Sequence, residues 1–264
     1  MGKVIKYKIY YLLSNKLTSA ITFLLFIIMN FDALINSGVL LSGGSGFNSE
    51  LKYELLLNNY VFTASIFGLL VGIYIGSSMI GPDIQTGNMY IILTSFPSRA
   101  KYFFGTFIAV VIYLIGVQLL LILNAYILLL VFNIPYLMSD LIYILLQIIL
   151  NSTVALSLTG ISSIYIKGHG SAMIGFLGYV VFNIYMYNVI PFFNMGFIFD
   201  LTQYRNIICH IFPITHVLAP SYTEQWIIDF YRLTPLTINI YIYQLLYIIG
   251  IVGIGALLFK RKEL

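Results

Sequence analysis

The stretch Gly81–Thr106, GPDIQTGNMYIILTSFPSRAKYFFGT, decides how the rest of the chain is read. It is polar and punctuated by glycine and proline, and it sits between two long apolar runs. It carries one acid (Asp83), two turn signals (Gly81-Pro82 and Pro97-Ser98) and a basic pair (Arg99, Lys101). Gly-Pro and Pro-Ser mark places where the chain turns. Within it, Ile84, Met89, Ile91, Ile92 and Leu93 are spaced to suit a short helix over Asp83–Ser95, on or just under a membrane surface. A chain that leaves a bilayer, makes such a helix and returns has the form of a docking knob.

Working outward, composition sets the class. Of the 264 residues, 60% are hydrophobic and 8% are charged, and the mean hydropathy is +0.97. Soluble domains run near 45–50% apolar and about 25% charged. So little polar surface cannot cover a globule in water, and the reading is an all-α integral membrane protein forming a single transmembrane domain over 1–264. The abundance of Tyr and Phe fits aromatic belts and equally an AT-rich genome. The lone cysteine, Cys209, leaves no intramolecular disulfide framework. With His210 and His216 nearby it lacks a further thiol or acidic partner at ligand spacing, so no metal site is expected. The first apolar run is longer than the h-region of a cleaved signal, about 7–15 residues, and is read as a retained span.

Six runs are long enough to cross a hydrocarbon core of about 30 Å at ~1.5 Å per residue. They are approximately Leu17–Leu41, Val61–Ile80, Phe103–Phe132, Leu141–Ile166, Ala172–Phe193 and Ile238–Phe259. Before them, residues 1–16 place Ile5, Ile9, Leu12 and Leu13 on one helical arc with Lys6 and Lys8 on its shoulders. That is the pattern of an interfacial helix whose lysines reach anionic headgroups; a charged flank that only orients the first span is the plainer alternative. Between spans five and six, 194–237 is too apolar for a free loop and too broken by Pro213, Pro220 and Pro235 to span. It reads as an extracellular segment with re-entrant or surface-lying helices.

Basic residues beside the spans set orientation. With the N-terminus inside, ten of the 13 Lys and Arg fall on inner segments and three (Lys52, Arg205, Arg232) on outer ones. Both termini are therefore expected in the cytoplasm. The second span carries Ala64, Gly68, Gly72 and Gly76 at four-residue intervals, a small-residue face that lets backbones approach closely. Its partner is another span of the chain or a second subunit.

Chemistry-bearing patterns are few. There is no GxxxxGK[ST] loop, no His-Glu-x-x-His and no GxSxG, and the carboxylates stand singly. The chain is not expected to be an enzyme or to hold a cofactor or metal, and its basic residues do not call for a nucleic acid. Intramembrane polar groups are functional candidates because they are costly. Asp32 and Asn36, one turn apart, either line a path or lie in the headgroup zone, roughly 24 Å beyond Lys16. Gln147 and Asn151 are further candidates for the path, or make hydrogen bonds between helices.

This layout resembles the membrane subunits of ABC transporters of the ABC-2 type. The resemblance is carried by Asp83, Gly87 four residues on, the apolar Met89–Leu93, and Pro97-Ser98-Arg99 leading into the third span; Gly105-Thr106 departs from the Gly-Lys usual there. It implies a six-span bundle of the type V exporter kind in a bacterial plasma membrane. A cytosolic coupling helix lies between spans two and three, in a coupling region at 81–101. Asp83, Gly87, Met89, Ile92, Pro97, Arg99 and Lys101 would engage an ABC ATPase subunit. Two copies of that ATPase would carry ATP and Mg, and a second permease, identical or related, would complete the path. The small size and minimal outer domain look like exporters of amphipathic or antimicrobial peptides; lipophilic drugs, lipid-linked molecules or ions are other cargoes. An ATP-independent six-span channel or carrier is the rival class.

Overall fold

A computed structural model describes residues 1–42, 67–95, 98–131, 138–166, 170–179 and 238–261. Among them every regular element is helical: α1 (Gly2–Ser14), α2 (Lys16–Ser42), α3 (67–77), α4 (Gly81–Gln85), α5 (Asn88–Ser95), α6 (Arg99–Val131), α7 (Met138–Tyr165), α8 (170–179) and α9 (Ile238–Arg261). Among the described residues three stretches are long and apolar enough to cross a membrane, Phe67–Gln85, Arg99–Val131 and Ile148–Tyr165, and a fourth is added if the bent pair Gly2–Ser14 and Lys16–Ile28 counts as one. Ala64, Pro97 and all of 194–237 lie outside the described residues, as do the side chains of Asp32, Asn36 and Gln147.

Each break between helices has a local cause. Asn15 makes the elbow between α1 and α2: its N–H donates to Tyr11 O at 3.0 Å, closing α1. Its side-chain Oδ1 accepts from the N–H groups of Leu17 (3.0 Å) and Thr18 (3.4 Å), opening α2. One residue thus satisfies backbone groups of both helix ends, and the axes turn by 64° there. At the other end of α3, the hydroxyls of Ser77 and Ser78 bond the carbonyls of Tyr74 and Ile75. Pro82, which has no N–H, then sits in the first turn of α4, where no helical partner is needed.

The single short helix expected over Asp83–Ser95 is instead two, α4 and α5. Gly87 divides them with φ at +71°, a left-handed conformation that closes a helix when glycine occupies it. A Cβ built on Gly87 meets nothing within 4 Å, so only the backbone angle resists a side chain. Gly87→Ala should therefore cost about 1–2 kcal/mol, and Gly87→Asn, which tolerates this region, distinctly less. Thermal unfolding of the two purified variants tests this; equal losses would show that crowding, not φ, governs the site.

The small face of α3 packs on α7. A Cβ at Gly72 would stand 2.6 Å from the backbone oxygen of Ser152, and one at Gly76 would stand 2.8 Å from that of Leu156. At Gly68 it would strike the Gln118 amide and the Ser152 hydroxyl. Along the facing helix, Ser152, Thr153, Ser157 and Thr159 each donate to the carbonyl four residues back, at 2.6–2.8 Å. Those bonds satisfy hydroxyls that have no water to meet.

Contacts along the helices give their directions. Residues 68, 72, 76 and 81 of α3 and α4 meet 152, 152, 156 and 163 of α7 in turn, so α3 and α7 are parallel. On α8, Ser171 and Tyr179 meet Ser162 and Asn151, so α8 runs opposite to α7. Thr22 meets Tyr113 and Asn30 meets Asn124, so α2 and α6 are parallel. Gly255 and Phe259 of α9 pack on Phe103, near the start of α6. The start of α6, the end of α9 and the whole of α1 therefore share one end of the bundle.

Candidate functional site

At that shared end three side chains far apart in sequence converge. Lys8 from α1 places Nζ 3.0 Å from Asp83 Oδ2, and the Tyr102 hydroxyl donates to the same oxygen at 2.5 Å. Lys8 is 0% exposed and Asp83 3%. The Lys8 ammonium also lies 4.9 Å from the centroid of the Tyr11 ring, within the range of a cation–π contact.

The surrounding sequence explains why the cluster forms. Val4, Lys8 and Leu12 recur every four residues and make the buried ridge of α1, so the lysine is carried inward between two apolar neighbours. Val4 seats on Gly105, where a Cβ would stand 3.0 Å from the Val4 side chain. The glycine lets α1 approach α6 until Lys8 reaches the level of Tyr102. Asp83 lies in the first turn of α4; its N–H donates to Ile80 O at 3.1 Å. Tyr102 packs against Phe259 with ring centroids 6.4 Å apart, which closes the fourth side with α9.

Electrostatically the cluster is a buried, hydrogen-bonded ion pair. Burial pushes the Lys8 ammonium below the usual lysine value, since the low-dielectric surroundings penalise its charge, while the Asp83 carboxylate opposes that shift. Removing Asp83 leaves only the Tyr11 ring facing the buried ammonium. The arrangement has no nucleophile, no paired carboxylates and no open metal set among the described residues. What it can do is hold α1, α4 and α6 together as one unit.

The expected site residues are divided by this geometry. Asp83 is not on the surface of a knob but inside, as its anchor. Met89 is buried and Ile92 half-buried against the same core. The exposed tip is Gln85–Asn88, including Gly87, and Lys101 is exposed beside it, with Arg99 half-buried at the start of α6. Lys8, expected to reach out to headgroups from the shoulder of α1, turns inward, because the buried face of α1 is centred on it rather than on the Ile5–Ile9 arc. Lys8 and Tyr102 were not anticipated as partners of Asp83. The available signal was the Val4-Lys8-Leu12 spacing together with an acid, Asp83, set between two apolar runs.

A second buried polar group lies deeper in the bundle. Gln118 Nε2 donates to Ser152 Oγ at 3.4 Å, and the Tyr179 hydroxyl donates to Asn151 Oδ1 at 2.8 Å. Asn151, read from the sequence as lining a path or as making a hydrogen bond between helices, links α7 to α8. Asn30 and Asn124 form a further amide pair between α2 and α6.

Outside, the helices are apolar. Phe23 and Ile27 of α2, Leu119 and Leu123 of α6, and Ile249 and Leu257 of α9 are all exposed, a spread of apolar surface that soluble monomers do not present. Apolar flanks around buried polar links define a helical membrane protein. No protein-family model matches the chain, and no curated protein matches it in sequence.

Proposed function

We propose that this chain is the membrane-spanning permease subunit of an ATP-driven exporter of the ABC-2 type. It has six spans with both ends in the cytoplasm of a bacterial cell and couples to a separate ATPase through the tip at Gln85–Asn88. The observation that carries this reading is the Lys8–Asp83–Tyr102 cluster. It ties the turn behind the tip to the N-terminal helix and to the start of α6 at a single carboxylate oxygen. A push on the tip is then delivered to α1 and α6 together rather than absorbed by a loose loop. Supporting it, the described helices alternate in direction, α2, α6 and α8 one way and α3, α7 and α9 the other.

In this reading ATP and Mg are held by two copies of the partner ATPase, and a second permease, identical or related, completes the path. The chain contributes a two-state bundle rather than reactive groups. Amphipathic peptides are the proposed cargo, for toxin export or self-immunity, since they enter such an apolar bundle from the membrane.

The test is purification of the tagged protein from its native membrane in mild detergent, with mass spectrometry of what accompanies it. A near-stoichiometric ATPase bearing a GxxxxGK[ST] loop, lost from an Asn88→Trp variant that still folds, is expected. A chain that arrives alone, or with a partner lacking that loop, would turn the reading to an ATP-independent channel or carrier.

A further inference from the structure

The inward turn of Lys8 changes what the rest of α1 presents. With Val4, Lys8 and Leu12 buried against α6, the opposite arc at ~100° per residue holds Lys3, Lys6, Tyr10 and Leu13. All four are exposed, Tyr10 at 72% and Leu13 at 62%. Lys16, Lys101, Lys260 and Arg261 are exposed as well. The contacts of Val4 with Gly105 and of Phe259 with Tyr102 bring α1, Lys101 and the basic end of α9 to the same end of the bundle. The described carboxylate at this end, Asp83, is buried and used by Lys8 and Tyr102. The exposed cations are therefore not balanced by it.

We infer that the outer face of α1 is a docking surface for anionic phospholipid headgroups, and that the bilayer holds α1 against the bundle through it. Two features select lipid over a soluble acidic protein. The lysines share their arc with an aromatic and a leucine, the combination that seats a helix at the headgroup boundary. The 64° turn at Asn15 also lays α1 well off the axis of α2, so that α1 tends toward the membrane plane when α2 crosses it. Each lysine near an anionic surface strengthens attachment about fivefold, so the pair Lys3 and Lys6 should account for roughly twenty-five-fold. Salt should weaken it within a Debye length of about 10 Å.

The experiment uses the full-length protein in nanodiscs of phosphatidylcholine alone or mixed with phosphatidylglycerol. Native mass spectrometry reads the retained lipid, and hydrogen exchange reads α1. The wild type should retain phosphatidylglycerol in preference to phosphatidylcholine, with slower exchange in residues 2–14 when the anionic lipid is present. Lys3→Gln/Lys6→Gln should lose most of both effects while melting at the wild-type temperature in phosphatidylcholine, because neither side chain is buried. Equal retention of the two lipids, or an undiminished preference in the double variant, would overturn the inference. So would protection of α1 by inorganic phosphate at matched ionic strength, or protection that appears only on adding cytosolic protein.

Discussion

Asp83→Asn is expected to destabilise the protein by about 3–5 kcal/mol, because breaking a buried ion pair strands the other charge. The asparagine keeps the shape of the side chain but withdraws the charge that both Lys8 and Tyr102 address. Lys8 is then an ammonium at 0% exposure with its counterion gone. Lys8→Met should cost distinctly less, since Asp83 retains the Tyr102 hydroxyl and methionine fills the ridge between Val4 and Leu12. Lys8→Met/Asp83→Leu should recover most of the loss, as buried ion pairs replaced together by apolar residues are often neutral. The measurement is a double-mutant cycle on unfolding in detergent or bilayer. Additive losses, with the double variant as unstable as the sum, would show that the pair does not hold the helices together.

The same double variant separates two roles for the cluster. If it is a permanent rivet, an apolar rivet serves equally, and the double variant keeps the activity of the wild type in whatever assay the proposed function provides. If the pair opens and closes during a cycle, the apolar version is stable but inactive, because one packing has been made too favourable. A stability that recovers without activity would therefore identify a switching element rather than a scaffold.

How much of this was legible in the sequence depends on the range of the interaction. The helical class followed from composition, and the turn at Gly81-Pro82 from residue types that act locally. The close face of Gly68, Gly72 and Gly76 was visible as a four-residue period, but its partner was not, since a helix wheel shows a face and not what it meets. The Lys8–Asp83–Tyr102 cluster was missed for the same reason. Lys8 and Asp83 are 75 residues apart, and at the level of sequence a lysine near an N-terminus reads as an orientation signal. Only the approach of α1 to α6 over Gly105 converts it into a buried partner. Splitting the expected Asp83–Ser95 helix followed from a backbone angle at Gly87 that glycine permits in sequence but does not announce.

The second large effect is expected at Gly72. A Cβ there would stand 2.6 Å from the Ser152 backbone oxygen and 3.4 Å from its carbonyl carbon, and a backbone cannot swing aside as a long side chain does. Gly72→Leu must therefore push α3 off α7 along the whole face, disturbing the meeting of Gln118 with Ser152 above it and the packing of Gly76 on Leu156 below. Overpacking typically costs 1–3 kcal/mol, and about 3 kcal/mol or more is expected here because the obstruction is main chain. Gly116→Leu is the control. It lies in α6 with nothing within 4 Å of its built Cβ, so it adds the same side chain at an open position and should stay within about 0.5 kcal/mol of wild type. Comparing the two by thermal unfolding, with hydrogen exchange in residues 67–77, tests the close approach directly. Comparable stability of the two variants would mean that α3 does not pack tightly on α7. The Asp83 anchor, which follows α3 by a single turn and rests on α7 through Gly81 and Ser163, would then have to be held by α1 and α6 alone.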